Sequence, residues 1–225
     1  MRASGKEGVV RVKVCGITGY RDAALALDCG VDGLGFNFFA RSPRFIKPSE
    51  ARSIIRRLPP FAVSVGVFVN VEDPAKVVEA AREAGVQVLQ LHGDESPEYC
   101  TRFYSWPLIK ALRLDSGPVK ENLRRYAVQA FLLDARDEFR FGGTGKTFDW
   151  ALAASVKKYR PVILAGGLKT ENVGEAIRTV RPYAVDVCSG VESSPGKKDP
   201  EKLKAFIREV RNVSKGLNTG DADQA

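Results

Sequence analysis

Two side chains in this sequence have the types and the placement for proton transfer. Cys15 closes one short apolar run and Asp134 closes another. A cysteine removes protons as a thiolate, and an aspartic acid can deliver them, so the two together make a base and an acid. Each also has a plainer reading. A strand-end cysteine is ordinarily core filler, and a strand-end aspartate ordinarily caps a turn. Their matching parity favours chemistry, because both are the last inward residue of a strand at the same rim.

Other residues have the chemistry to hold an anion. Glycines cluster at Gly142-Gly143-Thr144-Gly145, Gly166-Gly167 and Ser189-Gly190, each after an apolar run. Glycine lets backbone N–H groups approach phosphate oxygens closely. One such pair would be only a tight turn, but three in successive loops point to phosphate. Arg44, in Arg41-Ser42-Pro43-Arg44, can grip a carboxylate through two parallel hydrogen bonds. His92, the one histidine, stands at another strand end. It is read either as a binding residue or as a rim histidine satisfied by its neighbours. Gly145-Lys146-Thr147 hints at a nucleotide loop, but that motif needs a glycine where Arg140 stands. The segment is read instead as a lid on the phosphate side, with Lys146 solvated.

These residues must be positioned by regular elements. Strands are expected at Val10–Cys15, Gly33–Phe38, Ala62–Val69, Val86–Leu91, Leu108–Leu112, Ala130–Asp134, Val162–Ala165 and Ala184–Cys188. Helical patterning lies between them, at Asp22–Asp28, Pro48–Leu58, Pro74–Ala84, Pro97–Arg102, Glu121–Ala127, Trp150–Lys158, Glu171–Val180 and Pro200–Val213. Proline near a helix start and glycine just past its end are the expected punctuation. Strict alternation of strand and helix implies parallel strands, and eight such units fit a single closed (β/α)8 TIM barrel. A doubly wound open sheet is the alternative, but Cys15-Gly16-Ile17-Thr18 after the first strand lacks its glycine fingerprint.

Several strands alternate rather than run continuously apolar. Val12 and Val14 oppose Lys13 and Cys15, and Val185 and Val187 oppose Asp186 and Cys188. In a barrel one side faces the helices and the other the axis. Lys13, Gln90, Lys110 and Asp186 are therefore expected inside. Buried charges must be paired, so Lys13 or Lys110 should lie near Asp186. Cys188 is read as packing.

The net charge of +8 raises a polyanion as partner, but no nucleic-acid-binding motif accompanies it. Lys197, Lys198, Lys202, Lys204, Arg208, Arg211 and Lys215 read as solvated faces around the last helix. The four cysteines are scattered, with no CxxC pair, so neither a zinc ribbon nor a redox dithiol is expected. No apolar run is long enough to span a membrane, and the residues before Val9 form no export signal. The reading is one catalytic barrel over 9–213 with flexible tails at 1–8 and 214–225. It would be a cytoplasmic monomer or homodimer without nucleic-acid or membrane partners, acting on a small anionic substrate.

Taken together these residues resemble the phosphoribosylanthranilate isomerases of tryptophan biosynthesis. The resemblance runs nearly the length of the barrel. It is carried by Lys13-Val14-Cys15-Gly16-Ile17-Thr18, Gly35-Phe36 with Ser42-Pro43-Arg44, Gln90-Leu91-His92-Gly93, Leu133-Asp134, the glycine segments above, and Asp186-Val187-Cys188-Ser189-Gly190-Val191-Glu192. It implies a cofactor-independent Amadori rearrangement of N-(5-phosphoribosyl)anthranilate to an aminodeoxyribulose phosphate. It also implies the roles: Asp134 as general acid for ring opening, Cys15 as general base, and Arg44 on the anthranilate carboxylate. Gly143, Gly145, Gly166, Gly167, Ser189 and Gly190 would surround the phosphate, with His92 near the aromatic half.

Two competitors stay open at this point. One is the related aminoaldose isomerase of the histidine pathway, whose family has an aspartate where Cys15 stands. The other is a non-enzymatic polyanion binder using the basic surface, whose binding would fall steeply with salt.

Overall fold

In a computed structural model, the chain is described over residues 9–113, 123–134, 153 and 156–220. Eight parallel strands close into a barrel in sequence order. They are β1 (Arg11–Cys15), β2 (Gly33–Asn37), β3 (Val63–Phe68), β4 (Val88–Leu91), β5 (Leu108–Arg113), β6 (Ala130–Asp134), β7 (Val162–Ala165) and β8 (Ala184–Val187). Because β8 pairs back onto β1, the sheet has no edge, and the open-sheet alternative falls away.

The described helices are α1 (Tyr20–Asp28), α2 (Pro48–Ile55), α3 (Pro74–Ala84), α4 (Pro97–Cys100), α5 (Thr170–Val180) and α6 (Pro200–Gly220). α3 shows why the sequence breaks where it does. The Asp73 carboxylate accepts from the Ala75 N–H at 2.9 Å, Pro74 opens the first turn, and Gly85 ends the helix at φ 75°. Two expected helices come out differently. Pro97–Arg102 is a single α turn that tightens into a 3-10 turn over Thr101–Phe103, which buries Cys100 and Phe103. Of Glu121–Ala127, the described part holds only a 3-10 turn at Leu123–Arg125. Trp150–Lys158 lies largely outside the described residues, as do 1–8 and 221–225.

α6 runs past the expected boundary at Val213, as far as Gly220. Ser214 supplies the reason. Its buried hydroxyl accepts from the Val10 N–H at 3.2 Å and donates to the Val210 carbonyl at 2.7 Å, tying the helix to the start of β1. The segment from 214 therefore begins as packed helix rather than as a tail. Arg211 also departs from the solvated reading, donating to the carbonyls of Val10 and Gly30.

Strand residues sort into two faces. Val12, Val14, Phe36, Leu89, Phe131 and Val185 pack outward under the helices. Val65, Ile109, Ala111, Ala130, Leu132, Ile163, Ala165 and Ala184 fill the barrel itself. This sorting corrects one expectation. Ile109 and Ala111 are the inward residues of β5, so Lys110 and Leu112 lie on the helix side. Lys110 stays buried there because Glu95 pairs with it at 2.9 Å and the Gly93 and Ala111 carbonyls accept from its ammonium. Lys13, Gln90 and Asp186 are buried with the inward parity, and Lys13 Nζ meets Asp186 Oδ1 at 2.9 Å.

Candidate active site

Cys15 is the last residue of β1, and its surroundings favour charge on the sulfur. Directly below it, Lys13 and Asp186 form an ion pair with both side chains only 7% exposed. Gly35 on β2 leaves room for the group. A Cβ there would stand 2.9 Å from Cys15 Sγ and 3.0 Å from Lys13 Nζ, so a larger residue would displace one of them. A hydrogen bond from Cys188 lowers the Cys15 pKa; burial works against it; the charges of Lys13 and Lys198 lower it further. The net result lies well below the ordinary thiol range. Burial likewise works against the Lys13 ammonium, but Asp186 and the Cys15 sulfur carry its pKa above the ordinary lysine value. Burial pushes the Asp186 carboxyl up to about 6, against the pull of Lys13.

Asp134 is the last residue of β6 and shares the inward parity of Ala130 and Leu132. Its Oδ2 meets His92 Nε2 at 3.0 Å, and His92 Nδ1 meets Gln90 Nε2 at 2.8 Å. With the Gln90 amide donating to Nδ1, the imidazole carries its proton on Nε2 and donates it to Asp134. His92 is thus held from behind by a fully buried glutamine and in turn orients the aspartate. The sequence marks His92 as a rim residue but does not show this relay.

Arg44 is aimed by the turn that follows β2. The Ser42 hydroxyl accepts from the Arg44 N–H and from Asn37 Nδ2, both at 3.1 Å, which is what Ser-Pro-Arg at this spacing builds. The guanidinium then meets Glu192: Nε donates to Oε1 at 2.9 Å and to Oε2 at 3.0 Å, and Nη2 donates to Oε2 at 2.6 Å. Glu192 opens β9 (Glu192–Ser194), which pairs antiparallel with β10 (Lys197–Lys198). Burial opposes the Glu192 charge, but hydrogen bonds from Arg44 and Lys198 hold its pKa below the ordinary carboxylate value.

Lys198 is the second correction. Its side chain is fully buried rather than solvated, and its ammonium donates to Glu192 Oε1 at 2.8 Å and to the Cys15 carbonyl at 2.6 Å. The last hairpin is thereby fastened to the end of β1. Lys202 stays exposed, as expected, while donating to the Glu192 carbonyl at 2.9 Å. The sequence carried a signal for the Lys198 contact that periodicity does not read. Gly196, with φ 80°, makes the turn that folds Lys198 back over the rim. Cys188 is the third correction, since its thiol donates to Glu192 Oε1 at 3.8 Å rather than merely packing.

The loops after β7 and β8 bound the other side of the rim. Gly166 and Gly167 both take left-handed backbone, with φ 88° and 64°, which turns the chain sharply into α5. Asn172 on α5 fixes that turn: its Nδ2 donates to the Gly167 carbonyl at 3.0 Å, and its Oδ1 accepts from the Lys169 N–H at 2.8 Å. Ser189 and Gly190 form a 3-10 turn, Ser189–Val191, directly after β8. Two loops and a helix N-terminus together suit a phosphate. Gly143, Gly145 and Lys146 lie outside the described residues.

Among the described residues, no helix is long and apolar enough to cross a membrane. All four cysteines are free thiols.

Comparison with known proteins gives a consistent picture. Residues 12–209 match the family model for N-(5'phosphoribosyl)anthranilate (PRA) isomerase. The chain is 48% identical over 203 residues to the N-(5'-phosphoribosyl)anthranilate isomerase of Geobacter sulfurreducens, which spans 90% of this chain and 99% of that one. It is 53% identical over 207 residues to that of Moorella thermoacetica, 91% of each chain. Among solved structures it is similar to phosphoribosyl anthranilate isomerase from Thermotoga maritima, with a TM-score of 0.80 at 43% identity over 90% of this chain and 99% of that one. It is also similar to a phosphoribosyl anthranilate isomerase in complex with reduced 1-(o-carboxyphenylamino)-1-deoxyribulose 5-phosphate. There the TM-score is 0.78 at 41% identity, over the same shares of the two chains.

Proposed function

The chain belongs to the N-(5'-phosphoribosyl)anthranilate isomerase family, and we propose that Cys15 and Asp134 carry the two proton transfers of that isomerisation. The reaction is the Amadori rearrangement of N-(5-phosphoribosyl)anthranilate to 1-(2-carboxyphenylamino)-1-deoxyribulose 5-phosphate in tryptophan biosynthesis. The cytoplasm is the site of action we infer for it, on a small anionic substrate and with no nucleic-acid or membrane partner.

The furanose ring opens when Asp134 delivers a proton to the ring oxygen as the anomeric nitrogen's lone pair forms an iminium. With Oδ2 engaged by His92, the acid proton is carried on Oδ1. The Cys15 thiolate then removes the proton from C2', and its electron pair flows into the iminium to give an enolamine. Tautomerisation of the enolamine yields the ketone. Each well-positioned acid or base contributes on the order of 10²–10⁴-fold in rate. Arg44 holds the anthranilate carboxylate. The phosphate lies against Gly166, Gly167, Ser189 and Gly190, with Gly143 and Gly145 assigned to the same end.

The observation that carries this reading is the setting of Cys15. A strand-end thiol with a buried ammonium, a second thiol and the Lys198 ammonium around it is built as a thiolate base. A packing cysteine needs none of these partners. The test is turnover of freshly made substrate, followed by the loss of its fluorescence. Cys15→Ala and Asp134→Asn should each lose most of the activity while still binding a reduced product analogue. Full activity in either variant would overturn the assignment.

A further inference from the structure

The hairpin that follows β8 carries one side chain to the backbone of the base. β9 and β10 pair antiparallel through the Gly196 turn. The hairpin is tied down twice, by the Thr18 hydroxyl donating to the Gly196 carbonyl at 2.7 Å and by the Lys198 N–H donating to Asp22 Oδ2 at 2.9 Å. The Lys198 side chain is fully buried. Its ammonium donates to the Cys15 carbonyl at 2.6 Å and to Glu192 Oε1 at 2.8 Å.

The first of these bonds falls where β1 runs out of support. The ladder to β8 ends at Val14, one residue before Cys15, and Gly16 leaves the strand at φ 76°. The Cys15 carbonyl sits between the two, and its direction fixes ψ at Cys15 and so the setting of the thiol. The second bond reaches the carboxylate that takes three hydrogen bonds from Arg44. A buried ammonium must find acceptors for its protons, and here they belong to the base and to the support of the clamp.

We propose that Lys198 is a positioning residue for the isomerisation, holding the backbone of Cys15 and the carboxylate behind Arg44 at one separation. The substrate must present its C2' proton to the sulfur while its carboxylate lies on the guanidinium, so that separation has to match the substrate. The inference deepens the readings of Cys15 as base and Arg44 as clamp, and rests on them. The Lys198 charge also lowers the Cys15 pKa, and the test separates the two effects.

The variant is Lys198→Met, which keeps the stem and removes the ammonium. Glu192 remains held by Arg44 and by the Gly196 N–H, so no carboxylate is left unpaired. A misplacement on the order of 1 Å costs about 100-fold in rate, and kcat should fall by about that much. KM and the inhibition constant of a reduced product analogue should change by less than about threefold, because each contact is still available to a bound ligand. The ratio of wild-type to variant kcat should be the same at about pH 7 and at about pH 9.5, where even an ordinary thiol is ionised. A ratio that collapses at the higher pH means that the ammonium only ionises the sulfur, and overturns the proposal. Thr18→Val cuts a tie of the hairpin without touching the ammonium and should leave kcat nearly unchanged. A loss matching that of Lys198→Met would reduce Lys198 to a fastener of the hairpin, and also overturns the proposal. Should the methionine variant not fold, Lys198→Arg keeps the counter-charge for Glu192. Its longer fork cannot occupy the place of the buried ammonium, so kcat should still fall at least about tenfold, and full activity overturns the proposal. Cys15→Ala is assayed beside these. If it turns over normally, the base assignment falls and this proposal with it; if it is inactive while Lys198→Met matches wild type, the positioning role alone falls.

Discussion

Removing the Arg44 guanidinium separates its role as a carboxylate clamp from a general role in charge. The side chain has five N–H donors. Glu192 takes the edge formed by Nε and one hydrogen of Nη2. The other edge, Nη1 with the second Nη2 hydrogen, remains for a ligand carboxylate in the same plane. Glu192 therefore aims Arg44 and leaves it a second face. Arg44→Ala does not strand Glu192, because Lys198 Nζ at 2.8 Å and the Gly196 N–H at 3.2 Å still hold it. The loss then reports the ligand contact and not a collapse of the hairpin. A charge-assisted pair contributes about 1.5–3 kcal/mol, and the Arg44 side chain is 20% exposed, so the lower half of that range applies. Arg44→Ala should weaken binding of a carboxyphenylamino product analogue by roughly 10- to 40-fold, read as an inhibition constant. The analogue lacking the carboxylate, and inorganic phosphate, should bind nearly as before. Arg44→Lys should recover little, since a point ammonium cannot serve two carboxylates edge-on. An equal loss for the carboxylated and the carboxylate-free ligand would refute the clamp.

Three further outcomes follow from the same geometry. Gly16→Ala should raise KM and lower stability by about 1–2 kcal/mol, because φ is +76° and the new Cβ would stand 2.6 Å from Arg44 Cδ; thermal unfolding and steady-state kinetics read both effects, and an unaltered KM would mean that Arg44 is not displaced. Glu95→Gln should cost about 3–5 kcal/mol in urea unfolding, since it leaves the buried Lys110 ammonium without its counter-charge; a loss below about 1 kcal/mol would contradict the pairing. For pH, a thiol held below its ordinary value loses its thiolate only as pH falls through that lowered value. The kcat/KM profile should thus stay level through the ordinary thiol range near 8.5 and fall only well beneath it, and an acid limb near 8.5 would count against the thiolate.

Much of the barrel was legible because its signals are local. The eight strands are short apolar runs, and Pro48, Pro74, Gly85 and Pro200 mark helix limits that depend on the backbone alone. Cys15 and Asp134 could be picked out because a strand's last inward residue in such a barrel always reaches the same rim. What the sequence did not disclose depends on long-range contact. The parity of β5 is not legible locally, because a lysine reads as inward or solvated and only Glu95, in the loop after β4, neutralises it on the helix side. Lys198 reads as one of many surface cations; only the Gly196 turn folds it back over the rim onto the Cys15 carbonyl. Cys188 and Cys15 are far apart in the chain, and nothing local to either predicts that closure of the barrel makes them neighbours.

The charges beneath the rim explain how a thiol can serve as base above a buried carboxylate. Lys13 is the one ammonium shared by two anionic groups, the Asp186 carboxylate and the Cys15 sulfur. Both cannot be fully balanced by it. Burial and the nearby Cys15 charge hold the Asp186 pKa up to about 6, far from the ordinary aspartate value, against the pull of Lys13. As pH falls through that value the carboxyl takes up a proton and its repulsion of the sulfur is lost. Cys15 in turn draws support from groups that Asp186 does not neutralise, the Cys188 thiol and the Lys198 ammonium. A carboxylate at the position of Cys15 would set a second carboxylate beside Asp186 on the same ammonium and strengthen that competition.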